Sequence, residues 1–199
     1  LTQQKMKKTR VAINGFGRIG RATAKIILEQ KNIELIAIND LSDNATLANL
    51  FKYDSVHRTY RNTVKSSETH LEINGKQIRA TSEKDPSNLP WSELNIDVVI
   101  ESTGHFRTPE LAQRHIDAGA KKVILSAPAK EGNIKTIVLG VNDSILEGSE
   151  KILSNASCTT NCAAPMIKII DELCEIENGF LSTIHSYTSV QNLHDGPHK

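Results

Sequence analysis

Short apolar runs alternate with amphipathic segments along most of the chain, a pattern typical of alternating β/α proteins. The first apolar run, residues 10–14, is followed by a helical pattern with one apolar face and then by a second run, residues 33–38. A strand, a helix and a strand within about 30 residues have the size of a parallel crossover unit. The pattern predicts that both strands lie in one parallel sheet.

Further apolar runs extend this sheet. They predict strands at residues 97–101, 122–126, 135–141 and 151–154. Thr108 and Pro109 predict a helix start, since Thr is a good N-cap and Pro is tolerated in a first turn. Residues 43–51 predict another helix, with Ser42 or Asp43 as its cap. Residues 70–79 predict a hairpin around Asn-Gly. The predicted fold class is therefore α/β, with a doubly wound parallel sheet.

The pattern changes after Ser157. Residues 158–174 predict one helix, with Pro165 inside it expected to kink the helix or remove one backbone hydrogen bond. Residues 179–187 predict a new strand. One helix and one strand do not bury their own faces, so we expect here the beginning of a truncated α+β domain. The predicted domains are residues 6–157 and residues 158–199, the second of them incomplete.

The composition is that of an ordinary globular protein, with 38% apolar and 24% charged residues. A formal net charge of +1 argues against nucleic-acid or membrane partners recruited by bulk electrostatics. No apolar run approaches the roughly 20 residues that span a bilayer. Three cysteines cannot all pair within the chain, and with no export signal we expect a reduced, cytoplasmic protein.

The run Gly15-Phe-Gly-Arg-Ile-Gly20 follows a predicted strand and opens a predicted helix. Gly15 would allow the tight turn, Gly17 the approach of a pyrophosphate, and Gly20 the close packing of the helix. Backbone N–H groups near Arg18 and Ile19 would face the anion, which the helix dipole favours. The run therefore predicts a dinucleotide site.

Asp40 lies at the end of the second predicted strand, 20 residues after Gly20. Its carboxylate would accept hydrogen bonds from the adenosine ribose hydroxyls and repel a 2′-phosphate, which favours NAD over NADP. The alternative is that the glycines only form turns and Asp40 is a solvated strand end. We favour the dinucleotide site because strand, glycines and acid agree in spacing.

Two of the three cysteines lie in Asn155-Ala-Ser-Cys-Thr-Thr-Asn-Cys162. A zinc site is not favoured because a second cysteine pair is absent, and no metal is predicted. A disulfide between residues four apart on a helix fits poorly with the required geometry. Two interpretations remain open: buried packing cysteines, or a nucleophile and its neighbour.

Cys158 would begin a helix capped by Ser157, and a helix N-terminus stabilises a thiolate. His185, on the next predicted strand, could reach it and form a Cys–His pair in which imidazole takes the thiol proton. Packing remains the alternative for Cys158, and a structural role remains the alternative for His185. Cys162 and Cys174 are expected to be buried and inert.

At these residues the chain resembles phosphorylating glyceraldehyde-3-phosphate dehydrogenases of the glycolytic type. The matching segments are Ile13-Asn-Gly-Phe-Gly-Arg-Ile-Gly-Arg21, Lys52-Tyr-Asp-Ser-Val-His57, Glu101-Ser-Thr-Gly104, Gly119-Ala-Lys-Lys-Val-Ile124, Ser126-Ala-Pro128, Gly140-Val-Asn142, Ser154-Asn-Ala-Ser-Cys-Thr-Thr-Asn-Cys162 and His185-Ser-Tyr-Thr188. The resemblance implies a Rossmann-type NAD-binding domain followed by the start of a catalytic domain.

The resemblance also implies a two-step reaction on D-glyceraldehyde 3-phosphate. The Cys158 thiolate would form a thiohemiacetal, His185 would act as base during oxidation by NAD, and inorganic phosphate would release 1,3-bisphosphoglycerate from the thioester. Residues implied to hold the two phosphate positions are Ser157, Thr159 and Thr188. Residues implied to contact the cofactor are Gly15, Gly17, Arg18, Ile19, Gly20, Asp40, Lys84 and Ser126. The implied assembly is a cytoplasmic homotetramer when full length.

The chain departs from the family pattern at two places. It stops at Lys199, before most of the catalytic domain, so this fragment is expected to be inactive alone. Arg58 stands where the family commonly has Gly. Two alternatives to the leading function are an erythrose-4-phosphate dehydrogenase and a stand-alone NAD-binding or redox-sensing module, in which Cys162 would resolve a sulfenic acid on Cys158.

Overall fold

A computed structural model describes residues 7–188 of the chain. Its strands are β1 Thr9–Asn14, β2 Ile33–Asn39, β3 Val64–Ser66, β4 His70–Ile73, β5 Lys76–Thr81, β6 Val98–Glu101, β7 Lys122–Leu125, β8 Lys135–Thr136 and β9 Ile152–Ser154. Its α-helices are α1 Arg18–Glu29, α2 Asn44–Lys52, α3 Pro109–Asp117 and α4 Cys158–Cys174. Two short 3₁₀ turns cover Pro86–Asn88 and Asp143–Ile145.

The nine strands form one sheet in the order β3-β4-β5-β2-β1-β6-β7-β9-β8. Pairing is parallel from β5 through to β8, and antiparallel only among β3, β4 and β5. The chain runs from β1 to β2 on one side and later returns to β6 on the other. The predicted doubly wound α/β fold is confirmed, and the reversal beside β1 is where such sheets bind ligands.

Two apolar cores cover the two faces of the sheet. Successive residues of β1 alternate between them: Val11 and Ile13 pack with α1 and α2, whereas Ala12 packs on the α3 side. Phe51 of α2 and Trp91 on the opposite side are fully buried. This alternation follows from the period of two in a strand, and it fixes which side chains reach the end of the sheet.

Local sequence signals place the element boundaries. Asp43 caps α2 by accepting a hydrogen bond from the Thr46 N–H at 2.8 Å, and Thr108 caps α3 ahead of Pro109. The β4–β5 hairpin turns at Asn74 and Gly75, which both have positive φ, as a two-residue turn requires. These three predictions are confirmed.

Strand β8 ends at Thr136, whereas residues 135–141 were expected to be extended throughout. The Val138 N–H donates to the Asn142 side chain at 2.8 Å, and Gly140 has a φ of +79°. The asparagine side chain competes with the sheet for the backbone donor, so the strand gives way to a turn.

Helix α4 begins at the predicted place and continues through Pro165. Cys162 and Cys174 are exposed, so the expectation that they are buried was wrong. The reason is that the apolar face of α4 is uncovered within the described part of the chain, with Ile167, Ile170 and Leu173 all exposed.

Residues 179–187 form no strand, contrary to the prediction. A strand needs a partner for its backbone groups, and none pairs with this segment among residues 7–188. No helix in this described range is long and apolar enough to cross a membrane.

Candidate active site

A cleft of about 720 Å³ opens at the carboxyl ends of the central strands β1, β2 and β6. It is lined by most of the predicted site residues: Gly15, Gly17, Arg18, Ile19, Asp40, Lys84, Cys158, His185 and Thr188. The glycine turn and the cysteine, more than 140 residues apart in sequence, therefore belong to one site.

The three glycines of the turn have different surroundings. Gly15 has a φ of +90°, and a Cβ there would lie 2.7 Å from the Thr103 backbone nitrogen. A Cβ on Gly20 would lie 2.1 Å from the Gly15 carbonyl oxygen. At Gly17 a Cβ would meet nothing within 4 Å. The outer two glycines are thus required by the fold, whereas Gly17 leaves room for a ligand to approach the backbone.

The N-terminus of α1 fits an anionic group at this opening. Gly17 is the N-cap and supplies no side-chain cap, and the first helical residues, Arg18 and Ile19, are exposed. Free N–H groups and the positive end of the helix dipole together favour a phosphate there. These residues therefore fit the pyrophosphate of NAD.

Asp40 is held at the mouth of the cleft by two backbone groups. Its Oδ2 accepts a hydrogen bond from the Phe16 N–H at 2.7 Å, and its Oδ1 accepts one from the Ser42 N–H at 3.0 Å. Each carboxylate oxygen has a second lone pair available for a ligand hydroxyl. The arrangement therefore fits a ribose beside the glycine turn.

The structure does not bring all predicted residues to the cleft wall. Gly20, Ser126, Ser157 and Thr159 are not among the lining residues. The Ser126 N–H donates to the Glu101 carbonyl and so joins the ends of β7 and β6. Ser157 caps α4 by accepting a hydrogen bond from the Thr160 N–H at 2.9 Å. Their roles toward cofactor and substrate remain predictions.

Sequence reasoning missed several other lining residues, among them Asn14, Asn39, Ser102, Thr103, His105 and Phe106. Each ends a strand of the central sheet or follows one within a few residues. The carboxyl ends of parallel strands converge on the ligand site in doubly wound sheets, so this position was the signal that could have found them.

Cys158 and His185 form a close pair. The distance from Cys158 Sγ to His185 Nε2 is 3.1 Å. On its other side, His185 Nδ1 contacts the Ser186 carbonyl oxygen. A carbonyl only accepts hydrogen bonds, so Nδ1 carries the proton and the neutral ring turns its Nε2 lone pair toward the sulfur.

The contact changes the acidity of both groups. The hydrogen bond from His185 lowers the pKa of Cys158 below its ordinary value; burial opposes this, and Thr159 contributes further hydrogen bonds that lower it. The hydrogen bond with Cys158 raises the pKa of His185, and the Ser186 carbonyl acts in the same direction. Both shifts favour transfer of the thiol proton to the imidazole.

No group of three or more His, Cys, Asp or Glu side chains within residues 7–188 is arranged to hold a metal ion.

Comparisons with known proteins find one family over most of the chain. Residues 9–109 match the family model "Glyceraldehyde 3-phosphate dehydrogenase, NAD binding domain", and residues 157–199 match the corresponding "C-terminal domain" model. Glyceraldehyde-3-phosphate dehydrogenase of Mycoplasma pneumoniae is 52% identical over 194 residues, covering 98% of this chain and 58% of the relative.

Two further relatives show the same extent of similarity. The Thermotoga maritima glyceraldehyde-3-phosphate dehydrogenase is 54% identical over 192 residues, covering 96% of this chain and 57% of its own length. Glyceraldehyde-3-phosphate dehydrogenase 2 of Saccharomyces cerevisiae is 49% identical over 189 residues, covering 94% of this chain and 56% of the relative. The chain thus spans under three fifths of the length of the relatives it matches.

Proposed function

Because the chain belongs to the glyceraldehyde-3-phosphate dehydrogenase family, we propose that the protein containing it converts D-glyceraldehyde 3-phosphate, NAD⁺ and inorganic phosphate to 1,3-bisphosphoglycerate, NADH and a proton. The observation that carries the proposal is the 3.1 Å contact between Cys158 Sγ and His185 Nε2. Both residues lie in the cleft that the glycine turn also lines. The contact and the shared cleft support Cys158 as the nucleophile and His185 as its base, beside a dinucleotide site.

The first step is addition of Cys158 to the aldehyde. His185 Nε2 takes the thiol proton, and the thiolate forms a C–S bond to the carbonyl carbon. The carbonyl oxygen then receives the proton back from the imidazolium, which leaves a thiohemiacetal and a neutral imidazole. The depressed pKa of Cys158 and the raised pKa of His185 favour the ion pair that begins this step.

The second step is oxidation of the thiohemiacetal to a thioester. His185 Nε2 removes the hydroxyl proton while the carbonyl re-forms and the carbon loses its hydrogen with both electrons. When bound, NAD⁺ accepts those two electrons and that hydrogen. A phosphate oxygen then attacks the thioester carbon, the C–S bond breaks, and the thiolate leaves. The leaving sulfur is stabilised by imidazolium and by the N-terminus of α4.

The cleft offers groups that suit two parts of NAD, the pyrophosphate and the adenosine ribose. The backbone of the glycine turn, Arg18 and Ile19 would hold the pyrophosphate, and Asp40 would hold the adenosine ribose. Lys84 lies on the same wall. We also propose that Ser126, which directly follows β7, contacts the cofactor.

We propose Ser157, Thr159 and Thr188 as donors to the substrate phosphate and to inorganic phosphate. Thr159 hydrogen bonds to Cys158, and Thr188 lines the cleft with it. Hydroxyls beside a helix N-terminus provide the donors that phosphate oxygens need. A homotetramer and a cytoplasmic location also belong to the proposal, and rest on the family.

The test is NAD reduction by the intact protein with glyceraldehyde 3-phosphate and phosphate, compared with erythrose 4-phosphate. We expect a higher kcat/KM for glyceraldehyde 3-phosphate, and a loss of roughly 10²- to 10⁴-fold in His185→Asn, which removes the base. NAD binding should persist in that variant. A higher kcat/KM for erythrose 4-phosphate would favour the alternative dehydrogenase, and no oxidation of either aldehyde would contradict the proposal.

A further inference from the structure

A fully buried polar cluster lies directly beneath the cleft and takes no part in the steps above. Its centre is Glu101, 2% exposed, at the end of β6, and His115, 0% exposed, on α3. Asn14 and Trp91 are equally buried around them. A carboxyl group in such a position is costly unless its oxygens are fully hydrogen-bonded, so its partners indicate what it does.

Glu101 is surrounded by hydrogen-bond donors. Its Oε2 lies 2.6 Å from Asn14 Nδ2 and 3.0 Å from His115 Nε2. Its Oε1 accepts hydrogen bonds from both the backbone N–H and the hydroxyl of Thr103. A group that accepts four hydrogen bonds and donates none is a carboxylate rather than a carboxylic acid.

The orientation of His115 follows from its other neighbour. Trp91 Nε1 lies 3.1 Å from His115 Nδ1, and an indole nitrogen can only donate. Nδ1 is therefore the acceptor, and the ring proton lies on Nε2, where it is donated to Glu101. The tryptophan and the carboxylate thus select the same tautomer from opposite sides of the ring.

The hydrogen bonds continue from Glu101 through the side-chain amides of Asn14 and Asn39. Because Asn14 donates its Nδ2 to Glu101, its Oδ1 faces Asn39, whose Nδ2 lies 2.7 Å away. The Asn39 Oδ1 is then turned to the far side, where it accepts hydrogen bonds from the Glu83 N–H and the Thr81 hydroxyl, each at 2.8 Å. The Asn39 Nδ2 also donates to the Glu83 carbonyl at 2.8 Å. The hydrogen bonds therefore run in one consistent direction between two fixed ends, the Glu101 carboxylate and the backbone of Glu83.

The ordered groups are also the wall of the cleft. Asn14, Asn39, Glu83 and Thr103 all line it, and Lys84 follows Glu83 directly. We propose that Glu101 is a positioning residue for NAD, whose carboxylate holds Thr103 on one side and, through Asn14 and Asn39, the 81–84 segment on the other. The inference rests on the NAD site of the proposed function.

The variant that tests the inference is Glu101→Gln, which keeps the shape of the side chain and removes its charge. A carboxylate presents two acceptor oxygens, whereas a glutamine amide presents one oxygen and one NH₂ group. That NH₂ group would face a donor from either Asn14 or Thr103. If Asn14 turns over to accept from it, Asn39 must turn as well and the Glu83 N–H loses its acceptor. We expect NAD to bind about tenfold more weakly or worse, since one or more buried hydrogen bonds are lost.

Trp91→Phe is the matched control in the intact protein. It removes the donor at the far end of the cluster and lowers stability, but Glu101 still selects the Nε2–H tautomer of His115 and keeps its four donors. We expect NAD affinity to stay within about twofold of wild type, although the melting temperature falls. Wild-type affinity in Glu101→Gln, or an equal loss of affinity in Trp91→Phe, would overturn the inference. A wild-type protein that fails to bind NAD would instead refute the proposed function, and this inference with it.

A measurement on the wild-type protein covers the case in which Glu101→Gln fails to fold. Nitrogen-15 NMR of the His115 ring should show the proton on Nε2 and a bare Nδ1. The reverse tautomer would show that Trp91 and Glu101 do not order the cluster as described, and the inference would fail. In a folded Glu101→Gln variant, the side-chain amide signals of Asn39, which does not touch Glu101, should shift. Unchanged signals would contradict the proposed chain of hydrogen bonds from Glu101 through Asn14 to Asn39.

Discussion

The reactivity of Cys158 depends on its immediate neighbours. Its hydrogen bond with His185 lowers the pKa of the thiol, and the N-terminus of α4 offers further stabilisation to a negative sulfur. Both groups are exposed at the cleft, so a small reagent can reach the sulfur. The pair can therefore be studied by its chemistry before any substrate is added.

Alkylation across pH tests the pair at the residue scale. Since the pKa of Cys158 is lowered, its thiolate persists to lower pH, and iodoacetamide should label it at lower pH than an ordinary thiol. His185→Asn removes the largest cause of the shift, so the labelling profile of Cys158 should move to higher pH. Cys162, exposed on the same helix, serves as the internal control, and its labelling should not respond. Identical profiles for Cys158 with and without His185 would contradict the assignment.

Arg58 gives a second prediction at this scale. It has a φ of +64°, a left-handed conformation that costs a residue with a Cβ roughly 1 kcal/mol. Arg58→Gly should therefore raise the free energy of unfolding by about 0.5–1 kcal/mol, measured by urea denaturation. Arg61→Gly is the matched control, because Arg61 is also exposed but has no positive φ. Equal effects of the two substitutions would show that the backbone at residue 58 is not strained.

At the scale of elements, the loop after α2 is held by one carboxylate. Asp54 Oδ1 accepts hydrogen bonds from the His57 and Val56 N–H groups, each at 2.9 Å, and Lys25 contacts Oδ2 at 3.3 Å. These hydrogen bonds, that from His57 first, lower the pKa of Asp54 to about 2 from an ordinary 3.8. The loop connects α2 to β3 and so borders the antiparallel edge of the sheet.

Acid denaturation tests this contribution. A carboxyl with a lowered folded-state pKa stabilises the fold fully above its unfolded value and loses that effect as pH falls through the folded value. The stability difference between wild type and Asp54→Asn should therefore shrink between pH 4 and pH 2, read from urea unfolding at each pH. A stability difference that stays constant across this window would mean that folding does not lower the pKa of Asp54.

The elements that sequence predicted best are those set by neighbouring residues. The glycine turn, the Asn74-Gly75 hairpin and the caps at Asp43 and Thr108 each depend on a few adjacent side chains, and all occur as predicted. The strand expected at 179–187 failed because a strand depends on a partner that local sequence does not reveal. The expected burial of Cys162 and Cys174 failed for the same reason: helical periodicity marks an apolar face, not what covers it.

The candidate site divides in the same way. Cys158, His185 and the glycine turn could be identified from motifs, and the structure brings them to one cleft. No sequence pattern predicted that Glu101, His115 and Asn14 lie together. Asn14 and Glu101 are 87 residues apart, and no sequence motif marks them as a buried hydrogen-bonded pair. Only the parallel pairing of β1 with β6 makes them neighbours.

At the scale of the whole molecule, the sheet joins cofactor site and nucleophile. Ligand binding to the folded state adds RT ln(1 + [L]/Kd) to stability. NAD at 100 times its Kd should therefore raise the free energy of unfolding by about 2.7 kcal/mol. NADP at the same concentration should give a smaller shift, because in the proposed site its 2′-phosphate would face the carboxylate of Asp40, which lines the cleft.

Thermal unfolding with each cofactor measures the difference, and Asp40→Asn is the control. The amide keeps the shape of the side chain but removes the repulsion, so the gap between NAD and NADP should narrow. An equal gap in both proteins would show that Asp40 does not select the cofactor.

In the proposed reaction, Cys158 carries the oxidised substrate as a thioester before phosphate releases it. The most direct measurement is mass spectrometry of the intact protein after mixing with glyceraldehyde 3-phosphate and NAD⁺ in the absence of phosphate. We expect one acyl group per chain, located on Cys158, absent in Cys158→Ser and lost when phosphate is added. Aldehyde oxidation with no acyl group on Cys158, or with the group on another residue, would contradict it.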